Sequence, residues 1–313
     1  MIRARATFLS RPVATNKEDG TKRSMLQPFI NGGSLDESIV ERHEIEAIPL
    51  DCNANDNIIL YQQSFEQKGM IRVNLAEYLK QHFVSCQDRE GDGKQDDDSG
   101  IRSAASDFLR SDQGQSLLLA RFAQSTVSKS SQQQWHIRPT HVTHRTVPPD
   151  GMSLVHIDYP QTTSLGQLTS EWWRKWEPLL SDLGNSPEQL ERRFVLVGVV
   201  TLWVFLPQDR NDQLQDHPLL VADTSTLSHE NDTTTYQVVG SKTTRHSVGV
   251  FYNPSMKWYH ATSPNMTWGD AWLFDTQKNP HVSVNLMDNL DFRRQSCEVR
   301  CLILQKRKVE DPS

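Results

Sequence analysis

A histidine and an aspartate lie two residues apart in the segment SLVHIDYP, as His156 and Asp158. In an extended strand, residues i and i+2 project from the same face, so the imidazole and the carboxylate would point into one space. A third ligand from another strand would complete a two-histidine, one-carboxylate triad, which binds Fe(II) and leaves coordination positions open. Roughly one such tripeptide is expected by chance in a chain of this composition. The alternative is therefore a histidine that is only hydrogen-bonded at a strand end.

His281, in the segment DTQKNPHVSVN, is the candidate for the third ligand. It follows Pro280 directly, at the start of a predicted strand, where the mouth of a barrel would lie. A structural or surface role is the alternative for this residue when it is considered alone.

The next predicted strand carries two kinds of side chain in alternation. One set is polar and the other is mostly apolar: Arg294, Ser296, Glu298 and Arg300 against Cys297, Val299 and Cys301. Because successive side chains of a strand point to opposite faces, one face is polar along its length. Two explanations stay open. The strand lies at a solvent-facing edge, or it lines a polar barrel interior where an arginine and a hydroxyl bind a dicarboxylic acid.

Strands dominate the chain from Arg193 onward. The predicted strands are Phe194–Leu206, His217–Ala222, Val248–Tyr252, Lys257–Ala261, Ala271–Asp275, His281–Asn285 and Arg294–Gln305. The turn Asn253-Pro254-Ser255 predicts that the strands on either side of it form a hairpin. Polar turns rather than helices separate these strands, which favours an antiparallel sandwich or barrel.

Helices are predicted before this series of strands. Ala104–Gln124 fits a helix that is broken near Gly114, and a clearer helix runs from Leu165 toward Leu183, with tryptophans at helical spacing that pack it. The segment 87–100 is almost wholly charged or small, which predicts a solvated, disordered loop. The chain 1–313 is predicted to form a single mainly β domain with flanking helices.

Composition excludes several classes of function. The chain has 313 residues and a formal net charge of −6, without a basic block, which argues against nucleic-acid binding. Its longest apolar run, Phe194–Leu206, is too short to span a membrane. The cysteines form no CxxC pair, which favours a reducing, cytoplasmic location. They are Cys52, Cys86, Cys297 and Cys301.

Longer motifs give the sequence a family resemblance. HxD, a distal histidine and then RxS is the order found in Fe(II)/2-oxoglutarate oxygenases. The second half of the chain resembles the hydroxylase/desaturase family that includes AsaB-type and CmcJ-type proteins and fungal gibberellin desaturase. The matching segments are VHIDYP, VTLWVFLP, HPLLVADTSTL, VFYNPSMKWYHATSPNMTWGDAWLFDT, PHVSVN and RRQSCEVRCLIL, together with ARATFLSRP near the N-terminus.

This resemblance implies a double-stranded β-helix (jelly-roll) core with Fe(II) bound by His156, Asp158 and His281. It implies that Arg294 and Ser296 bind the far carboxylate of 2-oxoglutarate, with Arg300 as the second choice. The reaction would convert 2-oxoglutarate and O2 into succinate and CO2 while a small specialised metabolite is hydroxylated, desaturated or oxidatively cyclised. No nucleic acid and no membrane is expected as a partner, and a homodimer stays open.

One departure from the family and one alternative function are left open. The family usually has W-R-P where this chain has Trp203-Val204-Phe205-Leu206-Pro207, so a common arginine is missing, and Arg145 could replace it. His141 and His144 approach the HxD segment and could line the pocket. A non-catalytic jelly-roll binding protein, or an accessory subunit of a biosynthetic enzyme, is the alternative to an oxygenase.

Overall fold

The computed structural model describes most of the chain in eleven ranges. They are residues 2–11, 29–31, 40–49, 58–83, 94–122, 135–145, 154–206, 219–239, 244–260, 266–284 and 296–307.

Two β-sheets form the centre of the molecule. The larger has nine strands in the order β1-β3-β11-β8-β13-β6-β10-β9-β2. These strands are β1 (Ile2–Leu9), β2 (Phe29–Asn31), β3 (Val40–Pro49), β6 (His156–Ile157), β8 (Leu219–Ala222), β9 (Thr233–Val239), β10 (Thr244–Val250), β11 (Trp258–His260) and β13 (His281–Ser283).

The smaller sheet has five strands in the order β4-β12-β7-β14-β5. They are β4 (Met70–Asn74), β5 (Trp135–Arg145), β7 (Phe194–Phe205), β12 (Asp270–Asp275) and β14 (Ser296–Lys306). One buried cluster joins the two sheets, with Trp203 and Trp272 from the smaller and Leu219 and Val221 from the larger. The sheets therefore face each other, and the predicted mainly β, jelly-roll core is confirmed.

Helices flank this core. They are α1 (Ile58–Lys68), α2 (Ala76–Phe83), α3 (Lys94–Arg110), α4 (Asp112–Phe122), α5 (Leu165–Leu180), α6 (Pro187–Arg193) and α7 (His229–Asp232). The first four contribute to one buried cluster with the smaller sheet, where Phe65, Leu79, Phe108 and Leu118 pack with Val299. Among the described residues, none of the helices combines the length and the apolar character that crossing a bilayer requires.

Helix α5 matches its sequence signals closely. The Ser164 side chain accepts from the backbone N–H of Gln167, whose own side chain bonds back to Ser164, which forms a capping box. The apolar face includes Leu168 and Trp176, which pack in one cluster with Val199 and Leu302 of the smaller sheet. The helix therefore begins where the sequence predicts and lies against the smaller sheet.

The structure differs from the prediction of a loop at 87–100. Helix α3 begins at Lys94, so the second half of that segment is helical, and residues 87–93 lie outside the described ranges. Ile101, Ala104, Ala105 and Phe108 are buried along one face of α3. Asp98, near the start of the helix, also pairs with His144 of β5. The burial of this apolar face stabilises α3, and the helix extends back into the polar segment that precedes it.

The predicted hairpin is wrong. Strand β10 pairs with β9 and β6, whereas β11 pairs with β8 and, in parallel, with β3. The local turn does form, since the N–H of Met256 donates to the carbonyl of Asn253 at 3.1 Å. A turn signal fixes a change of chain direction, but contacts with distant strands decide the pairing.

Strand β14 settles the question about its polar face. It lies between β7 and β5 and pairs with both, so it is not a sheet edge. Cys297, Val299 and Cys301 are buried on the helix-covered side of the sheet. The alternating set, which includes Ser296 and Arg300, therefore faces the space between the sheets.

Candidate metal centre

The two candidate histidines lie directly opposite each other. His156 on β6 is the cross-strand partner of His281 on β13 in an antiparallel pair. Side chains at opposed positions project from the same face, and the two ring centroids are 4.4 Å apart. Two segments that are distant in sequence thus bring two imidazoles to one point.

Asp158 closes the group from the end of β6. Its Oδ1 is 3.7 Å from Nε2 of His156, and its Oδ2 is 3.7 Å from Nε2 of His281. One donor atom from each of the three residues lies within 4.8 Å of the other two. Two imidazoles and one carboxylate in this arrangement match the donor set that binds Fe(II) on one face.

Backbone carbonyls orient both imidazoles. Nδ1 of His156 lies 2.9 Å from the carbonyl oxygen of Leu154, and Nδ1 of His281 lies 3.1 Å from that of Asn279. A carbonyl can only accept, so each Nδ1 carries the proton and each Nε2 keeps its lone pair. This is the tautomer that a metal ligand requires, and the second hydrogen bond fixes the ring orientation.

Burial favours the uncharged form of His156. Burial, followed by the neighbouring His281, lowers the pKa of His156 to about 4. The side chains of His156, Asp158 and His281 are 22%, 13% and 8% exposed. An uncharged His156 can coordinate a cation without first losing a proton, and the site is enclosed but not sealed.

Arg300 is the closest charged neighbour of the group. Its Nε donates to Oδ2 of Asp158 and its Nη2 donates to Oδ1, each at 3.1 Å, in a two-point contact across the two sheets. Burial alone would lower the pKa of Arg300, but the charges of Asp158, Tyr159 and Glu298 outweigh it and raise the pKa. The guanidinium therefore stays charged and holds the carboxylate in one orientation.

The predicted 2-oxoglutarate residues are placed unequally. Ser296 is buried at 4% exposure, and its Oγ has no hydrogen-bond partner among the described residues. Arg294 lies outside the described ranges. Arg300 is engaged with Asp158 rather than standing apart as an anion receptor. A buried hydroxyl without a partner is costly, and a bound carboxylate would satisfy it.

Glu298 and His141 are two further residues near the group, and the sequence marks each of them only weakly. Glu298, which alternation alone could have flagged, has a side chain 13% exposed with Oε2 at 3.7 Å from Nη2 of Arg300. His141 is partly buried and accepts a hydrogen bond from Nε1 of Trp176. His144 is exposed and pairs with Asp98, and the side chain of Arg145 lies outside the described residues.

Comparison with solved structures supports the same fold. The chain resembles a single-residue variant of NvfI, an iron and alpha-ketoglutarate-dependent endoperoxidase, with a TM-score of 0.55 and 12% identity over 97% of this chain and 99% of the other. Another structure of NvfI gives a TM-score of 0.53 at 12% identity, covering 97% and 98% of the two chains. No curated protein matches the sequence.

A family model places the chain more directly. The model described as "Oxidoreductase/YMDC permease-like domain" matches residues 126–304, which include all three residues of the candidate metal group and the whole of β14 up to Leu304. That span is more than half of the 313 residues. The chain therefore belongs to the oxidoreductase/YMDC permease-like domain family.

Proposed function

We propose that this chain is an Fe(II)/2-oxoglutarate-dependent oxygenase that oxidises a small organic metabolite, of the AsaB/CmcJ-like hydroxylase/desaturase type. The observation that carries the proposal is the convergence of two oriented Nε2 atoms and one carboxylate within 4.8 Å. Among the described residues, these are the three His, Asp, Glu or Cys side chains that lie close enough together to hold a metal ion.

His156, Asp158 and His281 would hold the iron. Because only three donors would come from the protein, coordination positions on the ion would stay open for a keto acid and O2. The ring of Phe274 lies 5.0 Å from that of His281, and Val221 is the other cross-strand neighbour of His281. These apolar neighbours restrict water around the reacting centre.

The face of β14 fits 2-oxoglutarate as the second component. The Oγ of buried Ser296, which has no hydrogen-bond partner among the described residues, would donate to its far carboxylate, and Arg294, two residues earlier, would supply the charge. Iron and 2-oxoglutarate, when bound, supply the oxidising chemistry that converts 2-oxoglutarate and O2 into succinate and CO2 while the substrate is hydroxylated, desaturated or cyclised.

Arg300 would act on Asp158 in this scheme. Its two donated hydrogen bonds hold both carboxylate oxygens, so it sets the angle at which Asp158 meets the ion. A ligand held by an outer partner binds metal more tightly, because less freedom is lost on coordination.

We also propose that the chain works as one domain. Strands from the first third pair with strands from the last third in both sheets: β3 with β11 and β4 with β12. The N-terminal segment therefore contributes strands to the same two sheets that form the site.

The test is anaerobic addition of Fe(II) and 2-oxoglutarate to the purified protein. A weak visible charge-transfer band should appear, and succinate should form slowly once O2 is admitted. His156→Ala should remove both signals. His82→Ala is the matched control, since His82 lies on α2, on the far side of the smaller sheet, and pairs with Asp107. A binding protein or accessory subunit without the site would give neither signal in the parent protein, which would overturn the proposal.

A further inference from the structure

One irregularity of the sheet lies beside the candidate metal centre. Along β14 and β5, Val299 is opposite Val142, but Cys301 is opposite Pro139, so two residues of β5 face the single residue Arg300. Those two residues are Thr140 and His141. Pro139, which cannot donate a hydrogen bond to the ladder, lies at this bulge.

His141 lies on the face that carries Arg300, because it precedes Val142, the cross-strand partner of Val299, and neighbouring side chains point to opposite faces. Thr140 fixes the backbone there, since its Oγ1 donates to the carbonyl of Arg300 at 2.9 Å. Burial, followed by the positive charges of Arg300 and Lys175, lowers the pKa of His141 to about 4. The ring is therefore neutral near pH 7 and lies close to the Arg300–Asp158 pair.

One nitrogen of His141 is committed and the other is available. Nδ1 accepts from Nε1 of Trp176 at 3.0 Å, which leaves the ring proton on Nε2. No hydrogen bond joins that Nε2 to any described residue, although the ring is only partly exposed. An N–H held in place by its neighbours, beside a metal-binding group, can donate to a bound molecule.

Aromatic rings frame this donor. The ring of His141 stacks on Trp172 at a centroid distance of 5.5 Å and an angle of 24°. Trp172 and Trp176, one turn apart on α5, are nearly parallel at 5.9 Å and 12°. Trp172 is partly exposed, and the flexible Lys175 lies over its ring at 5.4 Å. Trp172 thus belongs to an aromatic cluster beside the site, against which a flat ligand could pack.

We propose that His141 and Trp172 form the substrate-contacting wall of the site. The wall would accept a flat, conjugated molecule that carries a neutral oxygen acceptor, such as a ketone, next to the ring system. Trp172 contacts the ring face, and Nε2–H of His141 donates to the oxygen. The inference rests on the proposed function, because only an oxygenase would make the bound molecule a substrate. The test below measures binding alone.

The test uses three probes and iron-free protein, with ligand-observed NMR titration. The probes are 2-acetylnaphthalene, 2-ethylnaphthalene, which lacks the acceptor, and 2-acetyldecalin, which is not flat. The parent protein should bind 2-acetylnaphthalene about tenfold more tightly than either of the other two.

Two variants separate the parts of the wall. His141→Phe should keep the ring contact and abolish the preference for the acetyl over the ethyl compound. Trp172→Leu should abolish the preference for naphthalene over decalin. His141→Gln, which keeps an acceptor for Trp176 and an N–H donor, should retain part of the first preference. Trp173→Leu, the neighbouring position on α5, is the matched control and should change neither.

Equal affinity of the three probes for the parent protein, or no binding, would overturn the proposal. So would unchanged preferences in His141→Phe and Trp172→Leu, provided that circular dichroism shows both to be folded. These titrations contain no iron, so they are independent of the charge-transfer band. A missing band would overturn the oxygenase assignment and leave the binding proposal standing. A normal band without any probe preference would overturn the binding proposal and leave the oxygenase assignment standing.

Discussion

The two faces of β14 differ in polarity and in what they pack against, although their residues alternate along one strand. One face buries Cys297, Val299 and Cys301 against the helical layer. The other turns Ser296 and Arg300 toward the space between the sheets, where Arg300 reaches Asp158. The first face packs against the helices, and the second carries residues of the proposed site. A single strand can do both because neighbouring side chains point in opposite directions.

This contrast also explains where polar groups are tolerated. On the helix side, the buried groups are thiols and alkyl chains, which need no partner. On the interior side, the guanidinium is buried with a two-point carboxylate partner, and the hydroxyl of Ser296 is buried without one among the described residues. Substitutions that exchange the character of the faces should therefore separate stability from ligand binding.

The largest effect should follow from removing the charge of Asp158, the carboxylate to which Arg300 of the polar face donates. Asp158→Asn keeps the shape of the side chain but removes the charge, so Fe(II) affinity should fall by at least about 100-fold. Competition with a coloured chelator under anaerobic conditions measures it. Asp182→Asn is the control, because Asp182 is 58% exposed and pairs with Arg138. Equal iron affinity in Asp158→Asn and the parent would remove Asp158 from the site.

The next effect should come from the partner of that carboxylate. Arg300→Met leaves a buried carboxylate without its cation, which should cost about 3 to 5 kcal/mol of unfolding free energy in iron-free protein. Urea denaturation measures it. Saturating Fe(II) should restore part of the loss, because the ion neutralises Asp158. Arg138→Met removes a cation from an exposed pair and should cost less than about 1 kcal/mol. Similar losses for both variants would show that the Arg300 contact is not special.

A matched pair of small substitutions then compares the faces directly. Cys301→Ser places a hydroxyl in an apolar cluster and should cost about 1 to 3 kcal/mol without changing 2-oxoglutarate affinity. Ser296→Ala removes a hydroxyl that has no partner among the described residues, so stability should change by less than about 0.5 kcal/mol.

The same Ser296→Ala variant should bind 2-oxoglutarate about tenfold more weakly. Denaturation and anaerobic titration of the visible band measure the two quantities on each protein. If Cys301→Ser weakened 2-oxoglutarate binding and Ser296→Ala did not, the two faces would have been assigned the wrong way round.

The smallest effect concerns the thiols of the apolar face. Burial raises the pKa of Cys297 and of Cys301 well above the usual range. Both groups therefore stay protonated at pH 8, where an ordinary thiol is partly ionised. In a Cys52→Ser/Cys86→Ser variant, a disulfide reagent should find no reactive thiol in the native protein and two after denaturation. Rapid reaction of either thiol in the native state would show that this face opens easily.

Local patterns predict the parts of this arrangement that depend on neighbours in sequence. The two-residue period of β14 correctly separates its faces, and HxD correctly places His156 and Asp158 on one side. Helix α5 is predicted from its spacing, because its cap and its apolar face are both local signals. These features follow from the geometry of one element.

Features that depend on how elements meet were out of reach of the sequence. The contact between Arg300 and Asp158 joins residues of different sheets, and alternation alone gives no partner for either. The pairing of β11 with β3 and β8 overrides a clear turn signal. The hydrogen bond from Trp176 to His141 joins a helix to a strand, and the pattern of neither element gives that partner. The sequence offers His281 as a candidate third ligand and the family resemblance implies its grouping with the HxD pair, but no spacing rule gives that grouping.

The central claim is that His156, Asp158 and His281 together bind one ferrous ion. The most direct measurement is a crystal structure of the protein grown without oxygen in the presence of Fe(II) and 2-oxoglutarate, with anomalous data at the iron edge. The account predicts one iron peak within bonding distance of Nε2 of His156, Nε2 of His281 and an oxygen of Asp158. Iron bound elsewhere, or a peak that leaves the imidazole of His281 uncoordinated, would contradict it.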